Sequence, residues 1–421
     1  MKKVLLTATL CMVVALSFAQ KKAVKDAKSE MNSNNFTEAR ELIKPALTDP
    51  ETANDAETWK VAGDIENKAF DAQRTNQMLQ KEFKEDVMYD ALLNSYAPYI
   101  KADELGQIPD EKGKVKNKFR KDIATTLRVN HPFFINGGVY YNDKQDYSKA
   151  SIFFEKYWEL PSLQVFADDK DKINTNDSTF QTIKYYAVIT AIQAKEDQRA
   201  IQLLSRILSE PFTPNSTYKE SDVYELLASE YENTKDSVNF VKTLELAAAK
   251  FPENKYFVPN LINQYIKAGK SEQAIAYLDK AIANNPEGAC DMYSVKASLF
   301  AEKKDFATAD ATYQAALSKD AACERALEGL AVSYIVQAQN LKEEAGNVST
   351  AKERAELDDK AKDLYNKAFP LLEKYKSSLE GRKADEQEIK SMLVKLQNVY
   401  YNLNMEKEYE AVSAELEKYK Y

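Results

Sequence analysis

An all-α solenoid is the fold class this sequence predicts, and three observations predict it. Tyr231, Tyr265, Phe300 and Tyr334 follow one another at intervals of 34, 35 and 34 residues. Ala247, Ala281 and Ala316 return at 34 and 35 in the stretches between them. The 421 residues include only 10 Gly and are 29% charged, a helix-forming composition. A fixed period of this size marks stacked helical hairpins, none of which buries its apolar face alone. Such an array grows by adding layers, so the length does not demand two or three globular domains.

The N-terminus reads as a leader. Lys2 and Lys3 precede an almost wholly apolar run from Val4 to Leu16, and Ser17-Phe18-Ala19 supplies small residues where a signal peptidase reads. Residues 1–19 are therefore expected to be removed, leaving Gln20 first and taking the formal charge from −8 to about −10. The run is shorter than the roughly 20 residues of a membrane span. Cys11 lies inside it, after Thr9 and Leu10, and not at its end where a lipid-bearing Cys would stand. Export to the periplasm, unanchored and with no membrane insertion of the mature chain, is the expectation.

The layers then follow in order. Residues 20–161 form an N-terminal array. Asn35-Phe36-Thr37-Glu38-Ala39 opens a second helix, Trp59 with Gly63 opens the next unit, and Gly138, Tyr141, Ala150, Phe154 and Pro161 complete a later one. Residues 162–181 form the most polar break, expected to be a loop between arrays. The C-terminal array occupies 182–421. Its clearest unit sets Ile262 and Tyr265 on one helix, Gly269 at a turn, and Ala274, Leu278 and Ala281 on one stripe of the next. The following unit repeats this with Ala297, Phe300, Ala309, Tyr313 and Ala316. Two units are stretched. After Trp59 the second helix is delayed to Tyr89–Ala102, and after Tyr334, with an insertion near 336–357, to Ala361, Tyr365 and Ala368. Both insertions are rich in Lys, Glu, Gln and Asp and read as helix extensions.

This series, a large residue, a small one, an aromatic, then Ala–aromatic–Ala–Pro, resembles the tetratricopeptide (TPR) repeat family over most of residues 22–421. The resemblance implies a right-handed solenoid of about eight or nine hairpins. It also implies protein–protein interaction: a non-catalytic scaffold or adaptor in a cell-envelope complex, its ligand docked on the concave face that the first helices line. Carried over residue by residue, that face holds Glu225, Ser229 and Glu232, then Asn263 and Ile266, Ser294 and Ser298, and Glu328, Val332 and Ile335. The family's best-known peptide-end binders open with a Lys–Asn pair, where this chain has Pro259 and Asn263, so that clamp is missing. A glycan-binding relative of outer-membrane uptake systems is the alternative reading. It would present exposed aromatic platforms, whereas Trp59 and Trp158 occupy packing positions.

Chemistry finds little footing. His131 is the single His, too few imidazoles for a zinc site or a Ser–His–Asp arrangement, and with Pro132 behind it reads as a helix-start residue. The acidic 168–178 stretch lacks the Gly and Glu of a calcium loop, holding Asn174 and Phe180 at those places when counted from Asp169. The acidic balance argues against a nucleic-acid partner, and the basic run Lys112–Lys121 reads as solvated surface. No catalytic residue, cofactor or metal is expected. Cys290 and Cys323 occupy equivalent places in adjacent units. Helix packing distances near 8–10 Å and disulfide Cα separations of about 4.4–6.8 Å leave both a bond and two thiols open. The charged end Glu408–Tyr421 suits a cap, and favours a monomer over a homo-oligomer.

Overall fold

A computed structural model of the chain describes residues 20–167, 172–284 and 289–419. The leader at 1–19, the acidic run 168–171 and the last two residues of the expected cap lie outside them. Every regular element among the described residues is helical, and there are eighteen α-helices. The chain divides into two compact units, Met1–Ser237 and Val238–Tyr421.

The first unit holds α1 (20–32), α2 (Phe36–Ile43), α3 (Ala56–Met78), α4 (Glu85–Gly106), α5 (Arg120–Asp143), α6 (Tyr147–Glu159), α7 (Ser178–Gln193), α8 (Asp197–Ser209) and α9 (Glu220–Asn233). The second is built from α10 (Ser237–Lys250), α11 (Phe257–Lys267), α12 (Ser271–Asn284), α13 (Cys290–Glu302), α14 (Phe306–Lys319), α15 (Glu324–Asn347), α16 (Ala351–Gly381), α17 (Glu386–Asn402) and α18 (Glu406–Glu417). Helices pack mainly on their neighbours in sequence, from α2 on α3 through α8 on α9, and from α11 on α12 through α17 on α18. Contacts confined to adjacent layers are what a repeat array requires.

The turns explain the period. Asn34, Gln145, Lys195, Gly269, Lys304 and Asn404 take φ between 58° and 66°. In each case the next residue's N–H donates back to a carbonyl at the end of the preceding helix. Asp146 reaches Tyr141 at 2.9 Å, Lys270 reaches Tyr265 at 2.8 Å, Asp305 reaches Phe300 at 2.9 Å and Met405 reaches Tyr400 at 2.9 Å. This is the Schellman closure of a helix C-terminus. Asp146 and Asp305 then cap the following helix, accepting from the N–H groups of Lys149 and Thr308 at 3.1 and 3.2 Å. The recurring aromatic therefore fills the layer with its side chain while its carbonyl closes the turn.

Small residues let the paired helices close up. A methyl group added at Gly63 would sit 2.6 Å from the Tyr99 ring, and one at Gly329 would sit 2.5 Å from Cζ of Tyr313. Gly137 and Gly138 stand against Phe153 and Phe154 in the same way. Ala150, Ala274, Ala309 and Ala316 are fully buried, with Tyr141, Phe154, Tyr265 and Tyr334 beside them in the core. Tyr231, Phe300 and Ala281 are only half-buried, so the packing role expected of them is partial. Trp59 is also half-buried, its indole N–H donating to the Ala53 carbonyl at 2.8 Å.

Both stretched units are long helical pairs. α3 and α4 run 23 and 22 residues, α15 and α16 run 24 and 31, against 11 to 14 for α11 to α14. Pro98 and Pro370 both lie inside the delayed helices α4 and α16.

Two sequence expectations are corrected. The described residues of 162–181 do not form an open divide, because Leu160–Ser162 and Gln164–Phe166 form 3-10 turns that bury Leu160, Val165 and Phe166 in the core. α6 and α7 on either side of it pack together within the first unit. His131 does not start a helix: it lies in the interior of α5, 5% exposed. Its ring stacks on Tyr157 at 3.9 Å between centroids, and Nε2 meets the Tyr157 carbonyl at 2.9 Å. Burial holds its pKa below the ordinary value. A Pro after a His suggests a first turn, but here the α5 helix carries Pro132 in its interior.

Candidate functional site

In the second unit α11, α13 and α15, the first helices of successive hairpins, line two adjoining grooves. One, about 650 Å³, has Val295, Ala301, Phe306, Val332 and Val336 as its apolar lining. The other, about 800 Å³, is bounded by Val258, Pro259 and Ile262 of α11 and by Leu278 and Ala281 of α12. Val295 and Arg325 line both, so the two are continuous.

The residues nominated from sequence distribute unevenly over this surface. Ser294, Ser298, Glu328 and Val332 line the first groove and Asn263 the second. Ser294 is 5% exposed, its hydroxyl donating to the Cys290 carbonyl at 2.9 Å, so it offers a wall and not a free hydroxyl. Ile266 is half-buried on α11 outside both linings. Ile335 belongs to the core, not to the concave face. Val336, four residues after Val332 and just over one turn on, takes the groove position, while Ile335 turns inward. Glu225, Ser229 and Glu232 lie on α9 of the first unit, the first two half-buried and the third exposed.

Three further features set the electrostatics. Arg325 pairs with Asp291 at 3.4 Å, bridging α13 and α15. Glu328 pairs with Lys395 at 3.1 Å. Asp310 of α14 accepts from the Ser333 hydroxyl at 2.6 Å and the Gln337 amide at 2.9 Å. Tyr313, which also lines this groove, has its phenol pushed up to about 12, first by burial and then by Asp310, Glu328 and Glu302. Three carboxylates therefore act on one point of the groove.

Cys290, the first residue of α13, and Cys323, the cap of α15, are joined by a disulfide with Cα atoms 6.0 Å apart. The bond ties the two groove helices at one end, where Ser294 Oγ packs 3.8 Å from Cys323 Sγ. The inter-unit loops pinch to a Cα separation below helix spacing, within the disulfide range.

Sequence reading missed Asp310, Arg325 and a set of tyrosine latches. Buried tyrosines donate to a carboxylate on a neighbouring helix: Tyr99 to Asp64 at 2.9 Å, Tyr141 to Asp90, Tyr265 to Glu245 and Tyr400 to Glu373. A weak signal existed, since Glu245 and Gln314 each precede their tyrosine partners Tyr265 and Tyr334 by 20 residues. Among the described residues no group of three or more His, Cys, Asp or Glu side chains is arranged to hold a metal. No described helix is long and apolar enough to cross a membrane.

These features define an all-α protein of TPR-like helical hairpins with a two-part groove. No family model matches the chain, and no curated protein matches it. Among solved structures it is similar to MamA of AMB-1, at 19% identity over 44% of this chain and 95% of that one, with a TM-score of 0.27. A TPR repeats protein of Bacteroides fragilis gives 17% identity, 64% and 97% coverage and a TM-score of 0.33. The TPR2AB domain of yeast Sti1, solved with pHSP90, gives 14%, 65%, 98% and 0.23.

Proposed function

We propose that this chain is a non-catalytic, exported scaffold or adaptor that holds a protein or peptide segment in the α11–α13–α15 groove, within a cell-envelope complex of the periplasm. The observation that carries the reading is the groove itself. It is concave, largely apolar and edged with hydroxyls and amides (Ser298, Asn263, Asn340), the make-up of a surface that grips a peptide. Three hairpin layers at about 10 Å spacing span roughly six extended residues at about 3.3 Å each. The disulfide supports the exported setting, because such bonds persist in oxidising compartments.

The glycan alternative finds no platform in the two tryptophans. Trp158 is 2% exposed, with the Arg206 guanidinium 4.0 Å from its ring centroid, and Trp59 is tied to the Ala53 carbonyl.

A cross-linked capture from the cell envelope tests the proposal, using the mature chain beside a bait carrying Ser298→Trp and Asn263→Trp to fill the grooves. One protein held by the first bait and lost from the second is the expected result. The same protein on both baits would remove the groove from the account. Mass analysis of the exported chain, expected to begin at Gln20, tests the leader.

A further inference from the structure

We infer that the occupant of the groove is a basic–apolar linear segment, with an ammonium or guanidinium seated at the α13–α14 end, where Glu302 closes α13 and Asp310 lies on α14; this rests on the groove reading above. The floor asks for apolar side chains, since Val295, Val332, Val336 and Phe306 leave hydrocarbon open to water. The charges decide what accompanies them. Glu302 lines the groove, and no described residue forms an ion pair with it. Asp310 takes its hydrogen bonds from neutral groups, Ser333 and Gln337, and no described cation forms an ion pair with it. Glu328 and Arg325 are each offset by a partner, Lys395 and Asp291. Lys304 is the one lining cation without such an offset; it is exposed, as Glu302 is, so it cancels one of the two negative charges and leaves a net charge of one carboxylate at this end. Glu302 and Asp310 thus leave a local negative field beside low-dielectric walls, and a field there selects by charge. An acidic segment would meet like charge at the same place.

The test uses three fluorescein-labelled, capped hexapeptides, (Val-Lys)3, (Val-Ser)3 and (Val-Glu)3, and measures binding by anisotropy at low and high salt. The Lys peptide is expected to bind at least about tenfold tighter than the Ser peptide at low salt, with the gap closing as salt screens it. In the chain carrying Glu302→Gln and Asp310→Asn the gap falls below about twofold, while the Ser peptide, which needs only the apolar floor, binds as before. Equal binding of the Lys and Glu peptides, or a gap that survives both substitutions, would overturn the cation site. If Ser298→Trp abolishes all binding in that case, the groove reading stands without it. If no peptide binds, or all bind undiminished to Ser298→Trp, the groove reading falls as well.

Discussion

Replacing Gly138 by Ala is the sharpest test of how the layers close. The new methyl carbon would stand 2.5 Å from Cδ1 and 2.7 Å from Cζ of Phe154, whereas carbon atoms rest at about 3.5–4.0 Å. The ring would have to retreat by roughly 1 Å, and it is 2% exposed and packed on Tyr186 at 6.0 Å between centroids. Overpacking of this kind costs about 1–3 kcal/mol. Removing a helix-interior Gly returns about 0.5–1 kcal/mol. The net expectation is a loss of about 0.5–2 kcal/mol. Gly346→Ala is the control, since nothing lies within 4 Å of its added methyl; it should be neutral or stabilising by up to about 1 kcal/mol. Phe154→Leu alone destabilises by leaving space, and in combination with Gly138→Ala the two should offset each other, giving a favourable coupling of about 1 kcal/mol or more. Urea unfolding followed by circular dichroism supplies all four values. Gly138→Ala as stable as Gly346→Ala, or a coupling of zero, would refute the close-approach argument.

Other expectations follow from the same geometry. Reducing the Cys290–Cys323 bond, or replacing both by Ser, opens a loop of 33 residues' separation and should lower stability by about 3–4 kcal/mol in denaturant titrations. Lys304→Gly relieves a left-handed backbone at φ 62° and should raise stability by about 0.5–1 kcal/mol after the extra chain entropy of Gly is deducted. The folded-state pKa of His131 is lowered by burial, so its contribution is present above the unfolded value of 6.5 and is lost as pH falls below it. Melting temperatures between pH 7 and 5 should therefore drop more in the native chain than in His131→Gln. Tyr313 is raised to about 12, so its contribution holds below pH 10 and is lost as pH rises from 10 through 12. Tyr313→Phe should flatten that alkaline loss.

Much of the architecture was legible because the period sits in residues with one job each. Tyr265, Phe300 and Tyr141 are aromatic to fill a layer, and each is followed at a fixed distance by the left-handed turn that resets the chain. The same regularity located the two long helical pairs, since displacing Ala361 and Tyr365 from register leaves in between helix-forming stretches broken at 346–350, where α15 ends and α16 is capped. Legibility failed where a position depends on which way a helix is rotated. Val332 and Ile335 look equivalent in the string, and only the packing of α15 sends one to the groove and the other to the core. It failed again at His131, where a Pro after His suggests a helix start although α5 carries that Pro within its length. The charge character of the groove was invisible for a further reason. Asp310 comes from α14, a second helix, and no pattern confined to first helices would include it.

The central claim is that the α11–α13–α15 groove is the binding surface. Site-directed photo-cross-linking in living cells tests it most directly, with a benzoylphenylalanine placed at Ser298 in the groove and, separately, at exposed Val129 and Val394 on α5 and α17. A discrete adduct formed from Ser298 and absent from the other two sites is the predicted result. Adducts from Val129 or Val394 with none from Ser298 would contradict it.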